Sequence, residues 1–225
     1  NWILNIGDGT TSTIDEEDWV SIREDLILDE GDDPKASIVN TTYPDLHRKY
    51  TDRTYLEERA ILCPRNETVD QINAYIMSQI PGEEVTYFSS DTTCKAMSTV
   101  EDEDMLYPTE FLNSLTFSGI PDHELRLKVG LPIMLMRNIN QNAGLCNGTR
   151  LTITQLGKRF IEGQVITCPN VGDKVYIPRI IMSPSDSKWP FILKRRQYPI
   201  SVCFAMTINK SQGQSLKKVG LYLER

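Results

Sequence analysis

The sequence contains no run of 18 apolar residues, the length a membrane-spanning helix requires. Its N-terminal stretch, NWILNIGDGTTSTIDEED, lacks the basic start and long apolar centre of a signal peptide. It does not open with Met, and it begins in mid-pattern, which leads us to expect a piece of a longer chain. Cysteine is scarce and scattered. The five residues at 63, 94, 146, 168 and 203 are odd in number and form no C-x-x-C pair. That spacing excludes a C-x-x-C-type metal site and argues against a disulfide framework, so a reducing compartment is expected. The two histidines, His47 and His123, have no partner at catalytic or metal-ligand spacing. There is no G-x-x-x-x-G-K-[ST] loop and no aliphatic run ending in Asp-Glu, so this chain alone is not expected to hydrolyse a nucleoside triphosphate. No internal repeat or low-complexity tract is visible. The N-x-[ST] triplets at Asn40, Asn66, Asn147 and Asn209 carry no meaning in a reducing compartment.

What is present is uneven. The net charge is −7, but residues 1–125 hold 8 Lys/Arg and 27 Asp/Glu, whereas residues 126–225 hold 16 and 4. The halves therefore carry −19 and +12. Such a split suggests that the C-terminal half meets a polyanion, the alternative being two solvated surfaces that happen to differ.

The pattern along the chain reads as α/β. Thr13 and Glu16 form a candidate capping box. Residues 34–60 show no period, although 55–59 (YLEER) resembles a helix end. Residues 60–63 are a short apolar run stopped by Pro64, a buried strand. Thr68 and Gln71 form a second capping box, and Val69, Ile72, Ile76 and Ile80 follow on one helix face until Pro81-Gly82. That is a βα unit. A strand is expected at 85–89, an irregular acidic excursion at 91–110, a short helix at 110–115 and a turn at 118–121. After Leu125, short strands separated by Gly and Pro suggest a small antiparallel barrel. RRQYP is read as breaking the apolar run of 189–207.

One corner concentrates phosphate-friendly groups. In FAMTINKSQGQSL (204–216), Thr207 and Ser211 offer hydroxyls, Asn209 an amide and Lys210 a point charge. Should Gln212-Gly213 open a helix, free backbone N–H groups would join them. Such contacts position a nucleic-acid backbone without reading its sequence. An ordinary solvated strand end is the alternative. Asn147-Gly148 is a hairpin signal as much as a contact candidate. Lys194-Arg195-Arg196 is a basic run or a solvated turn. Trp189 and Phe191 are base-stacking candidates, with core packing the commoner role for such rings.

FAMTINKSQGQSL closely resembles motif V of superfamily 1 helicases of the petite integration frequency (Pif) and RecD-like group, with Asn209 where many members have His. The resemblance extends over about four-fifths of the chain. ILCPRNETVDQIN resembles motif IV, at the start of the second RecA-like domain. PGEEVTYFSSD is similar to its second strand region. LKVGLPIMLMRNINQNAGLCNGTRL and PFILKRRQYPI resemble the strands leading into and out of an inserted Src-homology-like barrel. WILNIGDG resembles the tail of the first RecA-like domain.

The resemblance implies an α/β fold: a RecA-like domain with an inserted small antiparallel β-barrel. Its segments would be 1–58 (tail of the first RecA-like domain and linker), 59–130 (second domain, first part), 131–200 (barrel) and 201–225 (return segment). The implied function is that of an ATP-dependent 5′-to-3′ DNA helicase. Thr207, Asn209, Lys210, Ser211, Arg137, Asn147 and Arg150 would sit on single-stranded DNA, and Gln212, Gly213 and Arg65 on the nucleotide cleft. No residue here is assigned to the hydrolysis itself. The Walker motifs would lie upstream and the arginine-bearing motif VI downstream. This piece is therefore expected to bind no ATP or Mg²⁺ by itself and to be inactive, both being used by the whole protein. Implied partners are single-stranded DNA and the upstream RecA-like domain, with no membrane. Implied settings are repair, recombination and telomere maintenance in the nucleus, with mitochondria a second site. A non-enzymatic single-strand binding module and a degenerate, inactive domain remain open alternatives.

Overall fold

A computed structural model describes residues 2–8, 22–29, 31–95, 107–167, 170–184 and 189–223. The chain divides into two compact units, residues 1–38 and 39–225. The first holds helix α1 (Trp2–Gly7) and the start of α2 (Pro34–Thr42). Pro34 stands at the first helical position, where its missing N–H costs nothing. Asp33 before it accepts from the amides of Lys35 (2.9 Å) and Ala36 (3.2 Å). The Thr13–Glu16 capping box lies outside the described residues.

The second unit begins with the rest of α2 and continues with two short helices, α3 (Leu46–Lys49) and α4 (Arg53–Glu57), in a stretch whose sequence shows no period. Strand β1 (Arg59–Cys63) follows, then helix α5 (Asn66–Gln79). The apolar face expected for α5 is there: Val69, Ile72, Ile76 and Ile80 are buried. Its start is not at Thr68. The N-cap is Arg65, without a side-chain cap bond, and the Thr68 side chain is buried under the helix. Asp70 lies on the outer side of α5, and partial burial, with Asp122 second, pushes its carboxyl up to about 6. The protonated form is thus favoured by folding, and its contribution is present in acid and lost as pH rises through about 6. Asp70→Asn is expected to flatten the pH dependence of urea midpoints between about pH 4 and about pH 7. Because the side chain is largely exposed, the effect is under about 1 kcal/mol.

Four sheets follow. The strands β12 (Ala205–Thr207) and β13 (Lys218–Leu221) flank β1, both parallel to it. β2 (Val85–Phe88) pairs antiparallel with β4 (Glu124–Leu127). β3 (Ser90–Lys95) pairs with β10 (Phe191–Gln197), which also pairs with β9 (Ile180–Met182). The fourth sheet is antiparallel, in the order β11 (Ile200–Val202), β5 (Pro132–Leu135), β6 (Arg150–Leu156), β7 (Phe160–Val165), β8 (Lys174–Pro178). Helix α6 (Thr109–Ser114) lies between β3 and β4 in sequence. The molecule is mixed α/β, with a parallel sheet covered by α5 and an antiparallel part between β1 and β12.

Two expectations need correction here. Residues 90–95 are not irregular but strand β3, and 96–106 lie outside the described residues. RRQ does not break a strand but completes β10, where Phe191, Leu193, Arg195 and Gln197 point inward and Ile192, Lys194 and Arg196 outward. Side-chain alternation along a strand has period two, so one Arg of an adjacent pair must face the core. Arg195 is fully buried. Its guanidinium meets the Asp91 carboxylate at 2.7–3.1 Å, and it donates to the carbonyls of Leu112, Leu115 and Pro121. It is therefore not a phosphate contact. Phe191 is core, with Trp189 against it.

Candidate nucleic-acid interface

All three strands of the parallel sheet run the same way, so β1 and β12 end at the same edge, with Cys63 opposite Thr207. In α/β sheets, the crevice at the carboxyl ends of the strands is where ligands sit. The loop after β1 carries Arg65, which is exposed, and the chain after β12 carries the 207–213 cluster.

The start of β12 is held from beneath by a residue that sequence reasoning missed. Asn73, buried on α5, donates to the carbonyls of Val202 and Ala205, both at 3.1 Å, and accepts from the amide of Ala205 at 2.8 Å. Its position between Ile72 and Ile76 on the inner helix face was the available signal. Met134 from β5 packs with Ala60, Cys203 and Met206, joining the antiparallel sheet to this core.

After Thr207 the backbone forms a 3-10 turn, Ile208–Ser211. No helix opens at Gln212-Gly213. Gln212 (φ −58°, ψ 130°) and Gly213 (φ +79°) are the central pair of a type II turn closed by the Gln214 amide on the Ser211 carbonyl at 3.0 Å. The positive φ at the second central position favours glycine, and the segment carries no helix dipole. Ser211 donates its hydroxyl proton to the carbonyl of Ile208 at 2.7 Å, so in this state it is not a free donor. Thr207 makes no capping bond, and Asn209 is exposed.

The turn meets the loop between β5 and β6. Lys210 Nζ donates to Asn147 Oδ1 at 3.1 Å, and Gln214 Nε2 to the carbonyl of Gly148 at 3.0 Å. The Asn147 amide in turn donates to Asn138 Oδ1 at 2.8 Å. Beside it lies an open polar cavity of about 440 Å³ lined by Asn138, Ile139, Asn140, Gln141 and Asn142. Lys210 keeps two ammonium protons for a ligand. No Asp or Glu occurs between Glu124 and Glu162, or between Asp186 and Glu224, so neither segment supplies a carboxylate against a polyanion.

The remaining two basic candidates behave differently. Arg137 is half-buried, and its guanidinium turns back to the Met136 carbonyl at 3.0 Å, close to Gly119. It does not join the Lys210–Asn147 pair. Arg150 is fully buried and cannot touch DNA. It donates to the carbonyls of Leu56, Glu57 and Arg59 at 3.0–3.2 Å, closing the C-terminal end of α4 with a cation. Lys128, 9% exposed, does the same for α5 through the carbonyls of Met77 and Ile80. Among the described residues, no group of three His, Cys, Asp or Glu could hold a metal ion, and no helix is long and apolar enough to cross a membrane.

The chain is similar to known proteins. The family described as "DNA helicase Pif1, 2B domain" matches residues 110–156. ATP-dependent DNA helicase PIF1 of Xenopus laevis is 26% identical over 170 residues, 73% of this chain and 23% of that protein. The Homo sapiens helicase of the same name is 27% identical over 166 residues, again 73% and 23%. Among solved structures, Bacteroides Pif1 bound to ssDNA aligns with a TM-score of 0.51 at 21% identity, over 84% of this chain and 42% of that one. Pif1 helicase from Candida albicans aligns with a TM-score of 0.51 at 20% identity, over 85% and 48%. The chain thus spans about a quarter of the length of these curated relatives.

Proposed function

We propose, from the premise that this chain is of the Pif1 helicase type, that residues 205–214 and the loop 137–149 form a single-strand grip within the C-terminal motor part of an ATP-dependent DNA helicase moving 5′ to 3′. The observation that carries this reading is the Lys210–Asn147 contact. It joins two carboxylate-free segments, distant in sequence, at the carboxyl edge of a parallel sheet. Thr207, Asn209, Lys210 and Asn147 hold sugar-phosphate backbone, and Ser211 does so once its own turn releases its proton. In the whole protein, ATP with Mg²⁺ would supply the driving hydrolysis. The residues here fit one rim of such a site: the exposed Arg65 and the open Gln212-Gly213 turn share the sheet edge, and no phosphate-cradling loop is in the chain. A single turn that bears on both ligands would couple them, and such coupling is reciprocal.

In this reading residues 59–130 and 201–225 belong to a RecA-like domain whose partner domain includes 1–58. The antiparallel strands of 131–200 belong to an inserted barrel-like subdomain, and the protein works in the nucleus. The test is a fluorescence titration of a short single-stranded oligonucleotide with the 225-residue chain at several salt concentrations. Lys210→Ala is expected to lower the slope of log K against log salt by about one unit, as loss of one phosphate contact requires. An unchanged slope removes Lys210 from the grip.

A further inference from the structure

Four cations share a cavity at the other end of the antiparallel sheet. Lys158, Arg159, Pro178, Arg179 and Arg196 line a space of about 480 Å³. They come from the turn between β6 and β7, from the link between β8 and β9, and from β10. The pairings explain the meeting. Phe160 on β7 lies opposite Pro178 on β8, and Arg196 on β10 lies opposite Ile181 on β9, so the Pro178–Arg179 link serves both sheets. β6 starts at the Arg150 end, next to Gly148 and Gln214, and runs for seven residues. At about 3.3 Å per residue, the cavity lies roughly 20 Å from the 205–214 corner.

Among the described residues, no carboxylate pairs with these charges. The nearby acid Glu162 is occupied by Lys174 at 3.1 Å and Thr154 at 2.7 Å. Arg179 is held in place by the carbonyl of Phe88 and by the ring of Tyr198, 4.8 Å from its guanidinium carbon. Converging cations without a counter-charge raise the local potential and favour an anion. The register also sets two rings beside the cavity. Phe160 pairs with Pro178, and Tyr176 stands two residues before Pro178, so both project from the same sheet face. They meet edge to face at 5.1 Å, and Tyr176 is 60% exposed.

Cations that track a backbone together with exposed rings that stack bases are the two parts of a single-strand binding surface. We propose that this cavity is a second contact for single-stranded nucleic acid, holding backbone phosphate while an unpaired base stacks on Tyr176 or Phe160. It stands whether or not Lys210 meets DNA.

The test uses the 225-residue chain and a short oligothymidylate, with a duplex of equal length alongside. The triple variant Lys158→Gln, Arg159→Gln, Arg196→Gln is expected to lower the salt slope for the single strand by about two units. Tyr176→Ala is expected to weaken single-strand binding at least about fivefold and leave duplex binding unchanged. Should the triple variant fold poorly by circular dichroism, Lys158→Gln with Arg159→Gln, both in an exposed turn, should still lower the slope by about one unit. An unchanged slope overturns the site. Equal loss of single-strand and duplex binding in Tyr176→Ala overturns the single-strand assignment. Lys210→Ala separates the two contacts: a normal slope there with a lowered slope in the triple variant keeps this site and removes the corner.

Discussion

Replacing Arg150 by Leu is expected to lower stability by about 2–4 kcal/mol while leaving the salt slope of single-strand binding unchanged. Arg150 has no carboxylate partner among the described residues and is held by three backbone carbonyls. The Arg59 carbonyl would keep the Tyr43 hydroxyl, and the Leu56 carbonyl its bond from the Glu58 amide. The Glu57 carbonyl would lose the Arg150 donor, and α4 would lose the cation at its C-terminus. The same charge acts on its buried neighbours: burial pushes the Tyr43 phenol and the Cys203 thiol up, and Arg150 opposes both. Arg150→Lys should fall between the two, because one ammonium cannot span three carbonyls as a planar fork does. Thermal melts read the result directly, with a loss of about 5–15 °C for Leu in a chain of this size. A lowered salt slope in a folded Arg150→Leu protein would return this residue to the DNA surface.

Asp91→Ala is expected to cost about 3–5 kcal/mol, the largest single effect we anticipate. Asp91 and Arg195 are both fully buried and share a bidentate pair, and Asp91 also accepts from Ser89 at 2.6 Å. Removing the acid leaves a charge in the core with only carbonyls around it. The double variant Asp91→Ala, Arg195→Met should cost less than the sum of the two singles by at least about 2 kcal/mol, since neither charge is then stranded. Urea unfolding of the four proteins measures the cycle. Single losses below about 1 kcal/mol that simply add would mean the pair behaves as a surface contact.

The same pair shows what the sequence could and could not convey. FILKRRQ alternates with period two, so one Arg had to point inward. The identity of its partner depends on pairing between β10 and β3, 104 residues apart. Strand β3 was illegible because Ser90–Lys95 is polar apart from Cys94 and gains its place from that pairing. Helix α5 was legible because its burial follows a strict helical period. Helix α2 was not, because PKASIVNTT has no apolar stripe. At the site, the residue types that suit phosphate were visible in TINKSQG. Their geometry was not: Gly213 makes a turn rather than opening a helix, and Ser211 donates to its own backbone. Arg150 and Asn147 are near neighbours in one loop-and-strand segment, yet only Asn147 reaches the surface. Position along the chain does not tell which of two polar residues a sheet will bury.

Hydrogen–deuterium exchange of the 225-residue chain, with and without a short single-stranded oligonucleotide, tests the central claim most directly. The account predicts slowed exchange on binding in residues 207–214 and 137–149 together, with the α4–β1 amides beneath Arg150 unchanged. Binding that leaves both the 207–214 and 137–149 amides at their free rates would contradict it.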